Sequence, residues 1–255
     1  MTWGRENEQL VDLRIATWNL DRPKPRSARA RELAAQIVRI DADVWVLTES
    51  HVAFSPGREY NLVAHSSRLN SPDPAECWVA IWTRIGGQLV ETTDTDRTAA
   101  VRLNGRRATK ITVYGTVLPW LGSYWRDKPP TDGIAFGASL RAQADEWCAF
   151  SAEGELCVAG DLNQDLLTRG HYYGSKKNRS ALLSALAEAR LECANIVGGD
   201  AVSRHTRGGA AGIDHICVTP GLSIEESSCL VWPDVAEFDS KLSDHFGLSV
   251  RVSAG

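Results

Sequence analysis

The sequence contains no apolar run that approaches the roughly 20 residues a helix needs to cross a bilayer. It also lacks a secretory leader, since residues 1–11 are mostly polar and charged. These two absences argue against a membrane-spanning or secreted protein, so we expect a cytoplasmic protein with no membrane partner. No feature of the sequence indicates an obligate protein partner.

Charge of one sign is not in large excess. The 255 residues carry a formal net charge of −4 and the pI is about 5.9, so the molecule as a whole is not a basic nucleic-acid-binding protein. A locally basic groove stays compatible with this balance, because binding depends on where the charges lie.

Paired cysteine motifs are missing as well. The cysteines form no C-x-x-C pair and most of them lie within apolar runs, which favours free thiols in the core over disulfides or a zinc site. The six cysteines are Cys77, Cys148, Cys157, Cys193, Cys217 and Cys229.

Internal repeats, low-complexity segments and obvious linkers are absent, so we predict one domain over residues 1–255. Predicted strands outnumber helices and often follow one another as hairpins, with Asn104-Gly105 as the strongest hairpin signal. Two packed sheets with helices on their outer faces accommodate this pattern. The predicted strands cover residues 13–20, 44–48, 60–65, 77–83, 88–91, 99–103, 107–118, 156–159, 213–218, 223–231 and 248–252. Helices are predicted after an N-cap at Ser27, around residues 140–150 and around residues 182–187.

One stretch, Ala159-Gly160-Asp161-Leu162-Asn163-Gln164, follows a predicted buried strand. Gly160 has no side chain, so a ligand could approach the backbone closely there. Asp161 offers an acceptor for a metal ion or a proton, and Asn163 offers a donor and an acceptor that suit a phosphate oxygen. The structural alternative is a strand followed by an Asx turn.

Other predicted strands also end in polar side chains. The full set is Asn19, Asp21, Glu49, Asp161, Asn163, Asp214, Asp244 and His245. Oxygen ligands without paired cysteines favour Mg²⁺ or Mn²⁺ over zinc. Such a cation can neutralise a phosphodiester and lower the pKa of a bound water, while a histidine beside a carboxylate can accept a proton or stabilise charge.

Five segments carry a resemblance to a known group. In chain order they are Thr17-Trp-Asn-Leu-Asp21, Leu47-Thr-Glu-Ser50, Gly160-Asp-Leu-Asn163, Ile213-Asp-His215 and Ser243-Asp-His-Phe-Gly247. The set resembles the endonuclease/exonuclease/phosphatase superfamily, which includes deoxyribonuclease I-like nucleases, apurinic/apyrimidinic endonucleases, deadenylases, inositol polyphosphate 5-phosphatases and neutral sphingomyelinases. Each motif is weak alone, but five in the family's order within one chain are specific.

The resemblance implies an α+β fold, a four-layer α/β/β/α sandwich. Its two mixed or antiparallel sheets would pack face to face with helices outside, and the site would lie at one end of both sheets. It also implies a Mg²⁺ or Mn²⁺ cofactor with Glu49 as the principal ligand, Asn19 and Asp21 beside it and Asp244 nearby.

The same resemblance implies the catalytic roles. Asp161 would orient or deprotonate the attacking water and Asn163 would hold a phosphate oxygen. His245 would contact the scissile phosphate, with its ring fixed by Asp214. Whether Asp161 or His245 takes the proton stays open.

One position departs from the family pattern. Members commonly carry a histidine or tyrosine on the strand before the central loop, and the matching segment here places Val117 at that position. Valine cannot donate a hydrogen bond, so a neighbour must compensate, or catalysis is weaker, or the substrate differs. The candidate neighbours are Tyr124, Trp125, Arg126 and Lys128.

Three stretches rich in cations, two of which also contain aromatic residues, are candidates for substrate contact. Bases stacked in a channel with phosphates alongside suit such mixtures, although a solvated charge run or a loop packed on its own domain is the alternative. The candidate residues are Arg22, Lys24, Trp120, Tyr124, Trp125, Arg126, His171, Tyr172, Lys176 and Lys177.

Three functions remain open at this point. The first is a Mg²⁺-dependent nuclease acting on DNA or RNA, which the cation-and-aromatic stretches favour. The second is a phosphatase or phosphodiesterase for a small phosphoester such as an inositol phosphate, a nucleotide or a lipid head group, which the acidic pI and Val117 favour. The third is a catalytically silent binding module, against which the complete set of polar strand ends argues.

Overall fold

The computed structural model describes residues 11–104, 110–167, 169–235 and 242–254. In chain order the strands are β1 (Val11–Asn19), β2 (Val44–His51), β3 (Asn61–His65), β4 (Glu76–Thr83), β5 (Gly87–Val90), β6 (Thr98–Leu103), β7 (Ile111–Val117), β8 (Glu155–Asp161), β9 (Glu192–Cys193), β10 (Asp214–Val218), β11 (Leu222–Trp232) and β12 (Gly247–Ala254). The helices are α1 (Ala28–Ile40), α2 (Ile134–Glu153), α3 (Lys176–Glu188) and α4 (Ala201–His205). A 3-10 turn at Thr131–Gly133 precedes α2.

Helix α1 illustrates how the local sequence sets these elements. Ser27 caps it as predicted, because its hydroxyl accepts a hydrogen bond from the backbone N–H of Ala30 at 3.0 Å. Leu33 and Ile37 are fully buried on one face. The helix ends at Ile40, where Asp41 turns into the left-handed region with φ 56°.

The strands of the described residues form two mixed sheets of six. The first has the order β11-β12-β1-β2-β4-β3 and the second has the order β5-β6-β7-β8-β10-β9. Each sheet contains one parallel pair, β1 with β2 and β7 with β8, and the remaining neighbours are antiparallel. In a parallel pair, both carboxyl ends lie at the same edge of the sheet, which matters for the site.

The sheets and helices stack in four layers. Apolar side chains from both sheets, such as Val46 and Val113, meet in the central core. Helix α1 covers the outer face of the first sheet over Trp18, and helices α2 and α3 cover the outer face of the second over Val158. This arrangement confirms the predicted α+β four-layer sandwich.

Two cysteines overturn the expectation that all six are free. Cys193 and Cys217 lie directly opposite each other in β9 and β10 and form a disulfide. The two-residue strand β9 gave no strand pattern in the sequence, so this juxtaposition could not be foreseen. Cys77, Cys148, Cys157 and Cys229 are free.

Several smaller expectations can also be compared with the structure. Strands β6 and β7 pair antiparallel as predicted, while Gly105 of the predicted Asn104-Gly105 turn lies outside the described residues. The short helix α4 was not predicted, because five residues give too little periodicity. Within the described parts of the chain, no helix has the length and hydropathy to span a membrane.

Candidate active site

Polar side chains from both sheets meet at one end of the sandwich. Asn19 ends β1 and Asp161 ends β8, while Asp214 begins β10 and pairs in register with Asp161. The Asn19 Nδ2 atom lies 3.3 Å from Glu49 Oε1 in its own sheet and 3.3 Å from Asp161 Oδ2 in the other. The predicted strand ends therefore converge, and His245 completes the group.

The turn after β8 holds Asp161 in place. Its Oδ1 accepts the backbone N–H of Asn163 at 3.0 Å, which forms the Asx turn named above as the structural alternative, and Asn163 adopts φ 51°. Asn163 Nδ2 donates to the Leu118 carbonyl at 2.9 Å, so one of its two amide hydrogens is used inside the protein. The sequence suggested that Gly160 allows a ligand to approach closely, but the structure shows a steric requirement for glycine at this position, where φ is 134°. A Cβ there would collide with the carbonyl oxygen of Thr116.

The carboxyl group of Asp161 lies in an unfavourable place for a negative charge. The residue is only 2% exposed. Burial raises its pKa, and the nearby charge of Asp214 raises it further, to about 8, although His245 acts in the opposite direction. A carboxyl group with a pKa in this range can accept and release a proton near neutral pH.

The His245 ring is fixed by Asp214, as the resemblance implies. His245 Nδ1 lies 2.6 Å from Asp214 Oδ2. Burial alone would lower the pKa of His245, but the charge and hydrogen bond of Asp214 outweigh it and raise that pKa to about 10. At neutral pH the ring is therefore a cation whose Nδ1–H donates to Asp214. Ser243 holds this segment on β1, because its Oγ donates to the Asn19 carbonyl at 2.6 Å and accepts the His245 N–H at 3.0 Å.

These shifts predict a pH dependence of stability in the metal-free protein. The folded pKa of Asp161 exceeds the unfolded value of about 4, so its contribution lowers stability as pH rises from about 4 to about 8. The raised pKa of His245 acts in the same direction, since its stabilising contribution is lost between about pH 6.5 and about pH 10.

We expect the free energy of unfolding of the wild type, measured by urea denaturation in the presence of chelator, to fall as pH rises from about 5 to about 8. It should fall by up to about 1 kcal/mol per pH unit more than that of Asp161→Asn. The exposed Asp145→Asn on α2 serves as the control and should follow the wild-type curve. Parallel curves for wild type and Asp161→Asn would contradict the raised pKa of Asp161.

The site contains donors that fit a divalent cation. One oxygen each of Asp161 and Asp214 and a ring nitrogen of His245 lie within 4.8 Å of one another. The buried Oδ1 of Asp214 has no hydrogen-bond partner among the described residues. Glu49 adds a half-buried carboxylate whose Oε2 pairs with Arg22 Nε at 2.9 Å. The hard oxygen donors of Glu49, Asp161 and Asp214 fit a divalent metal ion, whereas a His245 ring protonated on both nitrogens offers it no lone pair.

Two of the predicted metal ligands lie at the edge of this group. The Asp21 carboxylate pairs with Arg22 at 2.9 Å and Arg29 at 3.2 Å, and only its backbone N–H contacts Asn19. The side chain of Asp244 is 74% exposed, and its Oδ1 lies 4.0 Å from His245 Nε2. Both stand at the margin of the site in this structure.

The predicted substrate-contact residues fall into three groups. Arg22 contacts Glu49 directly, and Tyr172 lines a cavity of about 290 Å³ that opens beside Asp214 and His245. Others are exposed at the surface, namely Lys24, Trp120, Tyr124 and Lys176.

The remaining predicted contacts are partly used inside the protein. Trp125 is 7% exposed and its Nε1 donates to Asp94 at 2.6 Å. Arg126 stacks on the Trp125 ring with its Cζ 4.4 Å from the ring centroid. His171 lies 3.2 Å from Asp165, and Lys177 donates to the Asp132 carbonyl at 3.0 Å.

Sequence reasoning missed one charged residue at this end of the sandwich. Arg97 is 4% exposed and stands next to β6, opposite the end of β7. In the sequence it belongs to a polar stretch, Thr93-Asp-Thr-Asp-Arg97, that is typical of an exposed turn. Only the pairing of β6 with β7 brings it beside the site.

Comparison with solved structures supports the fold. An AP endonuclease from Archaeoglobus fulgidus superimposes with a TM-score of 0.65 and 17% identity, covering 93% of this chain and 98% of that chain. The endonuclease domain of TRAS1, a telomere-specific non-LTR retrotransposon, gives a TM-score of 0.59, 18% identity and coverages of 94% and 98%. An endonuclease/exonuclease/phosphatase family protein from Bacteroides thetaiotaomicron gives 0.61, 12% identity and coverages of 97% and 99%. These similarities at low identity show the fold.

Sequence comparison gives the family. No curated protein sequence is similar enough to count as a match. The family model described as Endonuclease/Exonuclease/phosphatase family matches residues 16–245, a range that includes every strand end of the site. The chain therefore belongs to the endonuclease/exonuclease/phosphatase family.

Proposed function

We propose that the protein is a Mg²⁺- or Mn²⁺-dependent nuclease that hydrolyses phosphodiester bonds in DNA or RNA. The observation that carries this proposal is the convergence of Asn19, Glu49, Asp161, Asp214 and His245 at one end of both sheets. Carboxylates, an amide and an imidazolium around one point are the groups that phosphoester hydrolysis requires. Family membership supports the same reaction class.

Each group has a distinct proposed role. Glu49 and Asn19 would hold the cation, with Asp21 and Asp244 at the margin, and the cation would neutralise the phosphate and lower the pKa of a bound water. Asp161, a buried carboxyl group, orients the water and accepts its proton. The raised pKa of His245 favours Asp161 as the acceptor, because a histidine protonated at both Nδ1 and Nε2 cannot accept a proton. Asp161, with a pKa of about 8, would accept the proton in its ionised form.

His245 and Asn163 would stabilise the phosphate. Asp214 fixes the imidazolium, so the Nε2–H of His245 donates to a phosphate oxygen whose charge grows in the transition state. Asn163 keeps one amide hydrogen free after its bond to Leu118, and this hydrogen is available to a second oxygen.

Two observations support a nucleic-acid substrate. Tyr124 and Tyr172 expose 62% and 52% of their surface, and Lys24 and Lys176 are also exposed, which suits stacked bases with phosphates alongside. Two of the similar solved structures are described as endonucleases.

The test is a cleavage assay. Purified protein is incubated with single-stranded DNA, double-stranded DNA and RNA, each with Mg²⁺, with Mn²⁺ and with a chelator. We expect cleavage of at least one polynucleotide with metal and none with chelator. Intact polynucleotides under all conditions would contradict the nuclease proposal.

A small phosphoester is the second candidate. The observation that favours it is the internal use of several predicted contacts, since Trp125, His171 and Lys177 bond within the protein. The same assay therefore includes inositol phosphates, nucleotides and bis(4-nitrophenyl) phosphate. Metal-dependent hydrolysis of one of these compounds, with the polynucleotides left intact, would select this candidate.

We expect Glu49→Gln to weaken Mn²⁺ binding at least about tenfold, because the substitution removes the charge of the proposed principal ligand. Isothermal titration with Mn²⁺ measures this. Glu76→Gln is the matched control, since Glu76 is another half-buried glutamate paired with an arginine, Arg68 at 2.7 Å. Equal affinities in wild type and Glu49→Gln would remove Glu49 from the metal site, and a wild type that binds no Mn²⁺ would indicate a catalytically silent fold.

A further inference from the structure

The structure explains why the Val117 side chain supplies no hydrogen bond to the site. Val117 is fully buried and its side chain belongs to the core between the sheets. In the parallel pairing of β7 with β8 it lies directly beside Asp161. The position is therefore at the site, but no atom of the valine side chain can contact a phosphate oxygen through a hydrogen bond.

On the other side of Val117, the segment that leads into β6 places an arginine directly opposite it. The backbone N–H of Val117 donates to the Arg97 carbonyl at 3.1 Å, which continues the antiparallel pairing of β6 with β7. The backbone order across the sheet edge is thus Arg97, Val117 and Asp161. Opposed residues of neighbouring strands point to the same face of a sheet, and the Arg97 side chain accordingly packs on Trp78 of the facing sheet.

The Arg97 guanidinium is buried, and only some of its N–H donors form hydrogen bonds with the described residues. Its Nη2 donates to Ser123 Oγ at 2.7 Å and to the Tyr124 carbonyl at 3.1 Å. Its Nε and Nη1 have no hydrogen-bond partner among the described residues, although both are buried. Unpaired buried donors are costly, and on a cation they demand an explanation.

Neighbouring carboxylates do not satisfy this cation. Asp94 accepts hydrogen bonds from Trp125 Nε1 at 2.6 Å and from the Arg97 backbone at 3.4 Å, and Asp96 accepts one from the Leu69 backbone at 2.8 Å. No salt bridge to Arg97 exists in the described part of the chain. The ring of Trp78, 4.7 Å from its Cζ, and that of Trp120, 5.8 Å away, supply only cation–π contacts.

Electrostatics also connects Arg97 to the site. Burial lowers the pKa of Arg97, and the charges of Asp96, Asp94, Asp161 and Glu49 oppose that effect. The last two belong to the proposed catalytic group. The arginine therefore lies within electrostatic range of the place where a phosphate would bind.

We infer that Arg97 contacts the substrate phosphate with its unused Nε–H and Nη1–H donors and supplies the hydrogen bonds that Val117 cannot. This inference rests on the proposed function and assigns a phosphate-binding residue to that site. An anionic oxygen satisfies both the charge and the free donors of the guanidinium, and charge-assisted bonds of this kind are the strong ones. Arg97 would then compensate for the missing donor at Val117, although it lies outside the central loop where the sequence suggested a compensating residue.

The test compares Arg97→Ala and Arg97→Lys with Arg68→Ala. Arg68 is a matched control, because it stacks on the same Trp78 ring at 4.4 Å while its Nη1 already pairs with Glu76. We expect Arg97→Ala to lower kcat/KM for the cleaved substrate about 100-fold and Arg97→Lys about tenfold, since lysine keeps the charge but loses the planar donors. Added guanidinium should partly restore Arg97→Ala and leave Arg68→Ala unchanged.

Inorganic phosphate gives a readout independent of turnover. It should bind wild type and Arg68→Ala alike, and Arg97→Ala and Arg97→Lys more weakly. A folded Arg97→Lys with wild-type kcat/KM and wild-type phosphate affinity would overturn the inference, even where Arg97→Ala fails to fold. A wild type that hydrolyses no phosphoester would contradict the proposed function, and phosphate titration of wild type against Arg97→Lys would still decide the role of Arg97.

Discussion

Asp161→Asn is expected to lower kcat/KM for metal-dependent phosphoester hydrolysis by at least about a thousandfold. Asparagine has nearly the shape of aspartate and can still accept the Asn163 N–H, so the turn is retained. It cannot accept a proton from the attacking water. The loss should therefore fall on the chemical step, that is, on kcat.

The measurement is steady-state kinetics on whichever substrate the wild type cleaves, with circular dichroism to confirm the fold. Asp145→Asn is the control, because Asp145 is exposed on α2 and takes no part in the site. Phosphate affinity should change little in Asp161→Asn, since the proposed phosphate contacts come from other residues. A folded Asp161→Asn enzyme with kcat within about tenfold of wild type would assign the proton to another group.

The layers of the fold could be predicted from the sequence because local signals and the global arrangement agree. The buried run at residues 44–48 became the first part of β2, and the Ser27 cap began α1 where expected. The shortest elements were not predicted, since a two-residue strand and a five-residue helix are too short for a hydrophobic period to repeat recognisably. The Cys193–Cys217 disulfide depended on the register of one of these, β9, and was missed with it.

The candidate site likewise contains residues whose placement could be predicted from the sequence and residues whose placement could not. Asn19, Asp161 and Asp214 could be grouped in advance, because strand ends at one edge of packed sheets must lie close together. The direction of a side chain cannot be read from a motif, so the pairing of the Asp21 carboxylate with Arg29 emerged only in three dimensions. Arg97 is the extreme case, since its place beside the site depends on its pairing opposite Val117.

Asp214→Asn is expected to lower kcat/KM roughly a thousandfold near neutral pH, although Asp214 need not touch the substrate. The physical reason is the 2.6 Å contact between Asp214 Oδ2 and His245 Nδ1. Burial by itself would lower the pKa of His245, and the carboxylate of Asp214 is the main group that raises it to about 10. Asparagine removes that charge, so burial prevails and the imidazole loses its proton at a lower pH.

The sign of the effect can be tested with a pH–rate profile between about pH 5 and about pH 9. In wild type, His245 stays protonated across this range, so its deprotonation should not limit kcat/KM. In Asp214→Asn the rate should fall as pH rises through the lowered pKa, which leaves the largest deficit at alkaline pH and a partial recovery in acid. Asp73→Asn is the matched control, because the Asp73 carboxylate lies 3.3 Å from another histidine, His51, and neither residue belongs to the proposed catalytic group. A uniform loss at every pH would mean that Asp214 acts through position alone, and the proposed imidazolium would have to be given up.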